Sequence, residues 1–216
     1  MFLKWIREIL VAIWQKTRKL IRLQRWKLAA RSFPRNDGGK VSVHIGCGEI
    51  NIPDFINIDA RKYPHVHIVS RNIADLSIFP DESADLVYMC HVFEHIKRDN
   101  LPLVLKEMRR ILKPCGVLRL SVPDFDRIIE IYQKTGNSID CITKPLMGGQ
   151  DYEFNFHYTV FNRGYLHELL LNSGFKMVRE WVPLMSSNLD FEDWASRTID
   201  IEGNSFVISL NMEAQK

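Results

Sequence analysis

The sequence predicts an α/β fold, built on a doubly wound and mostly parallel sheet, and two observations carry that prediction. The first is Val41–Gly48, a β-branched run that ends in Gly-Cys-Gly. Such a run is typical of a buried strand followed by a loop where the backbone passes close to a ligand, since two glycines leave no Cβ in the way. The second is Asp59, eleven residues after Gly48 and at the end of the next apolar run. A carboxylate there suits the two hydroxyls of a ribose, in the crevice beyond the carboxyl ends of the strands.

The remaining apolar runs complete a sheet of seven predicted strands. In chain order the strands are residues 42–46, 55–59, 67–70, 85–90, 117–122, 176–181 and 205–212, with helices predicted over 101–113 and 124–135. Parallel neighbours normally need a crossover of a dozen or more residues. The first two strands are separated by only about eight residues, which include Pro53. We therefore expect the first crossover helix to be reduced to a turn.

Motifs that the sequence lacks narrow the class of cofactor that the glycine loop could bind. A dinucleotide-binding loop needs a small residue three positions after its second glycine, and Asn51 occupies that position. A phosphate-binding loop needs Gly-Lys-Ser or Gly-Lys-Thr, and the chain contains neither. These absences favour a nucleoside cofactor that carries no phosphates.

Five sequence features in the expected order resemble the class I S-adenosylmethionine-dependent methyltransferases, of the small methyltransferase-domain type. They are the glycine loop, DESADLVYMC at 81–90, HVFEHI at 91–96, KPCGVLRLSV at 113–122 and NSGF at 172–175. The resemblance covers the chain from Val41 to its C-terminus. It implies a Rossmann-like sheet and S-adenosyl-L-methionine as the cofactor.

The resemblance also implies the cofactor-binding residues. The set comprises Gly46, Cys47 and Gly48 in the glycine loop, Asp59 at the ribose, Asn72 and Ile73 at the adenine, and Cys90 and His91 near the sulfonium. The family usually has an acidic residue two positions before the first glycine, where this chain has His44; we interpret that side chain as a core residue. Glu94 and His95 either contribute to the site or begin the next helix.

Methyl transfer to a hydroxyl usually needs a general base, whereas an amine needs little more than alignment. His91 and His157 are the predicted catalytic residues, because a histidine pKa lies near neutrality. His157 ends the segment 148–157, whose neighbouring aromatic rings and polar side chains suit a sugar or small polar metabolite, or else fill the core. Similar short methyltransferases accompany glycosyltransferases in bacterial surface-polysaccharide pathways, which favours O-methylation of a glycan or its precursor. The alternative is a catalytically inactive scaffold protein that keeps the fold.

Composition divides the 216 residues into a basic arm, residues 1–35, and one catalytic domain, residues 36–216. The arm has ten Lys/Arg against the single carboxylate of Glu8, a balance of +9, whereas the rest has 19 basic and 25 acidic residues, a balance of −6. No nucleic-acid partner is expected, because the domain that follows the arm is mildly acidic. His91 and His95 lie four residues apart without a third ligand nearby, so no metal site is predicted.

Residues 1–32 are predicted to form an amphipathic helix. At 100° per residue, its apolar side chains fall within an arc of about 140° and most of its basic side chains lie outside that arc. The longest uncharged run of the helix is too short to span a bilayer, and no signal-peptide cleavage site follows it. We therefore expect a cytoplasmic protein. Three alternatives remain for the apolar face: peripheral contact with an anionic membrane, self-association, or packing on the chain's own domain.

Overall fold

The computed structural model of the protein describes residues 2–30, 32–36, 38–183, 192–201 and 203–216. The strands of this part of the chain are β1 (Ser42–Ile45), β2 (Phe55–Asp59), β3 (Ile68–Val69), β4 (Ala84–Cys90), β5 (Leu112–Pro123), β6 (Lys176–Glu180), β7 (Thr198–Ile201), β8 (Asn204–Val207) and β9 (Ser209–Gln215). The α-helices are α1 (Phe2–Ala29), α2 (Leu101–Ile111), α3 (Phe125–Lys134), α4 (Ile139–Met147) and α5 (Arg163–Asn172). Two 3-10 turns, Phe93–His95 and Arg98–Asn100, precede α2.

Seven strands form one sheet in the order β3-β2-β1-β4-β5-β9-β6. The pairs from β3 to β5 are parallel, and β9 pairs antiparallel with both β5 and β6. The predicted α/β fold, with a mostly parallel seven-stranded sheet, is confirmed. The strand order reverses between β1 and β4, and in such sheets ligands bind beyond the carboxyl ends of the strands at this switch point.

Side chains of the central strands alternate between two apolar cores. Val87 and Met89 of β4 are fully buried in the main core, which also contains Leu105 and Met108 of α2. Tyr88 of β4 points to the other face, into a smaller core with Phe55 and Trp181. A strand buried on both faces is typical of parallel sheets covered by helices or other segments on either side.

The connection between β1 and β2 has no helix, as predicted from its length. The chain instead turns across the end of β2, where the backbone N–H groups of Gly46 and Cys47 both donate to the Ile58 carbonyl, at 2.7 and 3.1 Å. These two bonds satisfy the backbone N–H groups of both residues of the glycine loop. They also fix the glycine loop directly against the neighbouring strand.

The last predicted strand, residues 205–212, is wrong in its extent. The structure divides it at Ile208: β8 forms a separate hairpin with β7, whereas β9 enters the main sheet between β5 and β6. The apolar run through Phe206 and Leu210 is continuous, so it carries no local signal for this division. The break comes from tertiary pairing, since the Ile208 carbonyl accepts a hydrogen bond from Asp124 N.

The predicted N-terminal helix is present as α1, and its last turns contact the domain. The Trp26 ring lies 5.2 Å from that of Phe79 and 5.8 Å from that of Phe33, between centroids, and Arg22 Nη1 lies 3.6 Å from Asp81 Oδ1. Asp81 precedes β4, so α1 joins the domain near the amino ends of the strands. Among the described residues, no helix combines the length and apolar character needed to cross a membrane.

The contact with the domain uses the side of α1 that lies opposite its apolar arc. At 100° per residue, Arg22 and Trp26 fall on the far side of the helix from Leu10 and Ile13. These apolar side chains are accordingly 60% and 56% exposed, and Trp14 is 57% exposed. The alternative that this apolar face packs on the chain's own domain is therefore wrong.

Candidate active site

The glycine loop after β1 meets the segment that leaves β4. Gly46 has φ +69°, and a Cβ added to it would lie 2.2 Å from Cγ2 of Val92. Gly48 has φ +55°, but the nearest atom to its added Cβ is an Arg61 guanidinium nitrogen at 3.6 Å. Gly46 is thus required by packing within the protein, whereas Gly48 is favoured by its left-handed backbone conformation alone.

Asp59 holds the glycine loop to the end of β2. Its Oδ2 accepts from Gly48 N at 2.8 Å and its Oδ1 from Arg61 N at 2.8 Å. His65, which sequence reasoning missed, adds a second tie, because its Nε2 lies 3.0 Å from the Gly48 carbonyl and donates to it. The Arg61 Nε also donates to Asp59 Oδ1, at 3.5 Å. A carboxylate has about four acceptor positions, so these three donors leave Asp59 about one position for a further donor.

The other predicted cofactor contacts lie at the same edge of the sheet, with different surroundings. Asn72 is exposed, and its Oδ1 accepts from Ala74 N at 3.1 Å, which leaves the amide nitrogen available. Ile73 packs partly against the main core. Cys47 and Cys90 are buried free thiols; burial raises the pKa of Cys47 to about 12 and that of Cys90 well above its ordinary value.

His44 is a core residue, as predicted. It is 1% exposed, and its ring lies 5.2 Å from that of Tyr88 and 6.3 Å from that of Phe55, between centroids. Burial lowers the pKa of His44 to about 3, so the ring is neutral at neutral pH. No carboxylate therefore occupies the position where the resembled family usually has one.

The segment 148–157 folds back over the edge that carries Asp59. The Arg61 guanidinium lies 4.5 Å from the Tyr152 ring centroid, and Arg71, which follows β3, lies 5.1 Å from that of Phe154 and pairs with Glu153. Tyr152 is 37% exposed and Phe154 is partly exposed, so neither ring fills the core. The aromatic side chains of this segment remain available at the surface of the site.

A second backbone contact brings His157 beside the turn Phe93–His95. Tyr158 N and Thr159 N both donate to the Glu94 carbonyl, at 2.9 and 3.2 Å. His95 Nδ1 lies 3.1 Å from the Phe156 carbonyl, and the rings of His95 and His157 are 4.8 Å apart between centroids. The two catalytic candidates of the sequence, His91 and His157, thereby meet in one group with His95 and Glu94.

Glu94 lies at the centre of this group, and sequence reasoning missed that position. Its Oε1 is 3.5 Å from His91 Nδ1 and 3.9 Å from Nε2 of both His95 and His157. The residue is 1% exposed, and both of its carboxyl oxygens lack a hydrogen-bond partner among the described residues. The expectation that Glu94 and His95 begin a helix is wrong, because α2 begins at Leu101. We call Glu94, His91, His95 and His157 the histidine cluster.

Burial controls the protonation of the histidine cluster. It raises the pKa of Glu94 to about 8, and it lowers the pKa of His91 to about 3, that of His157 to about 4 and that of His95 below its ordinary value. At neutral pH the imidazoles are neutral and most of Glu94 is protonated. The contacts around Glu94 are therefore not salt bridges. The near-neutral pKa on which the prediction of His91 and His157 as bases relied is wrong for this site: both rings can accept a proton, but they are weaker bases than a free imidazole.

The S-adenosylmethionine that the motifs imply fits the residues at this edge. Gly48 adds no side chain beside the loop, and Asp59 keeps about one acceptor position for a ribose hydroxyl. Asn72 offers an amide nitrogen to an adenine. His91 follows β4 directly and has φ +51°.

Comparisons with known proteins agree with this arrangement. Residues 50–120 match the family model described as a methyltransferase domain. A search of the curated proteins found no significant match. Among solved structures, a SAM-dependent methyltransferase from Archaeoglobus fulgidus is 15% identical with a TM-score of 0.51, over 92% of this chain and 94% of that chain. A Burkholderia thailandensis 1,6-didemethyltoxoflavin-N1-methyltransferase, solved with S-adenosylhomocysteine, is 14% identical with a TM-score of 0.52, over 100% and 88%. At these identities the structural likeness establishes the fold, and the family model adds the methyltransferase domain.

The contact between Gly46 and Val92 predicts a large cost for any side chain at position 46. We expect Gly46→Ala to lower the free energy of unfolding by about 2–4 kcal/mol, through backbone strain and the clash together. Gly39 has φ +67° with nothing within 4 Å of its added Cβ, so Gly39→Ala is the matched control and should cost only about 1 kcal/mol. Denaturant unfolding measures both, and equal losses would contradict the proposed clash. Val92→Ala should restore part of the loss in the Gly46→Ala background.

Asp59 should contribute directly to cofactor affinity. We expect Asp59→Ala to weaken the binding of S-adenosylhomocysteine by roughly 1–3 kcal/mol, because charge-assisted hydrogen bonds to the ribose are lost. Calorimetry measures the affinity, and Asp54→Ala, on the exposed loop before β2, is the control. Asp59→Asn keeps the shape of the side chain if the alanine variant unfolds. Unchanged affinity in folded variants would show that Asp59 serves the loop alone.

Proposed function

We propose that this chain is an S-adenosylmethionine-dependent methyltransferase of the class I fold, and that it methylates a hydroxyl group of a polar acceptor in the cytoplasm. The acceptor class is a sugar, a glycan precursor or a small polar metabolite. One observation carries the proposal: three imidazole rings converge beside the glycine loop, at the end of the sheet where cofactors bind. A hydroxyl acceptor needs such proton-accepting groups, whereas an amine does not.

His157 is favoured over His91 as the group that takes the proton. His91 Nε2 lies 2.8 Å from Ser209 Oγ, and its Nδ1 lies 3.5 Å from Glu94. Both ring nitrogens of His91 are thus engaged inside the protein. His157 belongs to the segment that folds over the site, where an acceptor would be held.

The surroundings of His157 support a polar acceptor with hydroxyl groups. Tyr152 and Tyr158 are exposed, and each stacks with a cationic side chain, Arg61 at 4.5 Å and Lys97 at 5.8 Å. Aromatic rings beside charged and amide groups suit sugars, which combine an apolar ring face with many hydroxyls.

In the proposed reaction, the cofactor supplies a methyl group on a sulfonium sulfur, and this sulfur leaves as a thioether when the acceptor oxygen attacks. The protein's part is binding, alignment and proton removal. Asp59 and the glycine loop hold the nucleoside end, while the segment 148–157 orients the acceptor. The His157 imidazole accepts the hydroxyl proton as the new O–C bond forms. Alignment of reacting atoms within contact distance lowers the barrier by removing translational freedom.

The alternative from the sequence is a protein that binds the cofactor without catalysis. An incubation with methyl-labelled S-adenosylmethionine distinguishes the enzyme from the scaffold protein. It uses two panels of acceptors, one of sugars and sugar nucleotides and one of primary amines. We expect labelled product and S-adenosylhomocysteine only with hydroxyl acceptors. Transfer restricted to amines would contradict the proposal, and tight cofactor binding with no transfer to either panel would favour the scaffold alternative.

We also propose that α1 places the protein on the surface of an anionic membrane. Its exposed apolar face points away from the domain contact at Trp26, and the first 35 residues carry a balance of +9. An interfacial helix combines these two properties, since apolar side chains enter the acyl region and basic side chains meet anionic headgroups. Such a location suits an enzyme whose acceptor is a membrane-associated glycan.

Removal of the His157 imidazole should slow catalysis without affecting the cofactor. We expect His157→Ala to lower turnover of a hydroxyl acceptor about 10²–10⁴-fold, because the acceptor proton loses its base, while the affinity for S-adenosylhomocysteine stays the same. His167→Ala, on α5, is the control. Steady-state kinetics and calorimetry give the two values, with thermal melting to verify folding. Full activity of His157→Ala would show that the protein supplies alignment alone.

The apolar face of α1 should control membrane binding. We expect Ile13→Asp to weaken binding to anionic vesicles about tenfold or more, since it removes buried apolar area. Gln15→Asp adds the same charge on the opposite side of α1, so it should have a smaller effect. Co-sedimentation with anionic and neutral vesicles, at two salt concentrations, provides the measurement. Self-association in light scattering, together with indifference to vesicles, would favour a second copy as the partner instead.

A further inference from the structure

The ring nitrogens of the histidine cluster have defined directions. Ser209 Oγ donates its hydrogen to the Trp194 carbonyl at 2.5 Å, so it accepts from His91 Nε2, and the Nδ1 lone pair of His91 faces Glu94. His95 donates from Nδ1 to the Phe156 carbonyl, which leaves the lone pair of Nε2 directed at Glu94.

The His157 ring faces the same centre. It packs edge-on against the His95 ring, with centroids 4.8 Å apart, and its Nε2 lies 3.9 Å from Glu94 Oε1. His91 and His95 are thus fixed by hydrogen bonds from outside the cluster, and a ring nitrogen of each of the three imidazoles faces its centre. Outer hydrogen bonds of this kind orient metal-binding histidines in proteins and raise the basicity of the ligand nitrogen.

The centre of the cluster lacks donors. Glu94 is 1% exposed, and within the part of the chain that the structure describes neither carboxyl oxygen has a hydrogen-bond partner. A buried polar group without a partner is costly, so it points to an ion or water that completes its bonding. One proton on Glu94 can serve only one of the facing ring nitrogens, whereas a cation can serve all of them at once.

We propose that Glu94, His95 and His157 bind one divalent first-row transition-metal ion, such as zinc. Their ligand atoms all lie within 4.8 Å of one another. Zinc ligands at about 2.0–2.2 Å from the ion are roughly 3–3.5 Å apart, so the side chains must close by about 1 Å. Two imidazoles and one carboxylate form a recurrent ligand set that leaves a coordination position open. The expectation from the sequence, that no third ligand joins the histidines, is corrected by the approach of His157.

The open position would hold an oxygen of the acceptor. A hydroxyl bound to a divalent ion has a lowered pKa, which favours the deprotonated form that attacks the methyl group. With the ion bound, the Nε2 lone pair of His157 would serve as a ligand, so the hydroxyl proton would pass to water and the ion would replace His157 as the group that promotes its loss. This catalytic consequence rests on the proposed function. Binding of the ion does not, because it needs only the three side chains.

The test uses the full, untagged chain after treatment with a chelator. We expect Co²⁺ to bind one equivalent with the visible absorption of a nitrogen- and oxygen-coordinated ion, and Zn²⁺ to displace it. Glu94→Gln and His95→Ala should each weaken binding at least tenfold, whereas His167→Ala should bind as the unmodified protein does. Glu94→Gln keeps the size of the side chain, and thermal melting verifies that each variant folds.

Two results would overturn the ion site: the absence of a bound equivalent in the unmodified protein, or equal binding by the Glu94→Gln and unmodified proteins. Either result leaves the proposed function to be judged separately, because slow turnover by His157→Ala without any bound ion would still support a hydroxyl acceptor. Conversely, an ion bound through Glu94 in a protein that methylates amines alone would support the ion site and contradict the proposed function.

Discussion

The site depends on one steric constraint, the contact between the loop after β1 and the segment after β4. At Gly46 the two pass so close that Val92 occupies the space of a side chain. The contact lies where the strand order reverses, which is where a doubly wound sheet opens a crevice. It fixes the glycine loop on one side and the turn with Glu94 on the other. The cofactor edge and the histidine cluster are therefore held in one geometry.

A second constraint comes from a distant part of the chain. Backbone bonds from Tyr158 and Thr159 to the Glu94 carbonyl attach the residues that follow α4 to the turn after β4. The same attachment buries the Glu94 side chain and brings His157 to it. Burial then sets the protonation of every group in the cluster, because charged forms lose their hydration. Local chain direction, burial and acid–base behaviour are in this way linked through two hydrogen bonds.

The sequence predicted the parts of the fold that local patterns determine. The strands around the glycine loop, the missing first crossover and the core position of His44 all follow from short runs of residue type and spacing. The central position of Glu94 did not, because its neighbour His157 is 63 residues away and nothing in the motif HVFEHI indicates which segment will cover it. The division between β8 and β9 was not predicted for a similar reason, because it is determined by the pairing of β8 with β7 and of β9 with β5.

Burial lowers the reactivity of two thiols in this chain. A sulfonium methyl group is an electrophile, and a thiolate is a stronger nucleophile than any hydroxyl. Cys47 lies within the glycine loop and Cys90 ends β4. Burial keeps both as thiols, with the pKa of Cys47 raised to about 12. Both sulfurs are therefore held in their less nucleophilic form.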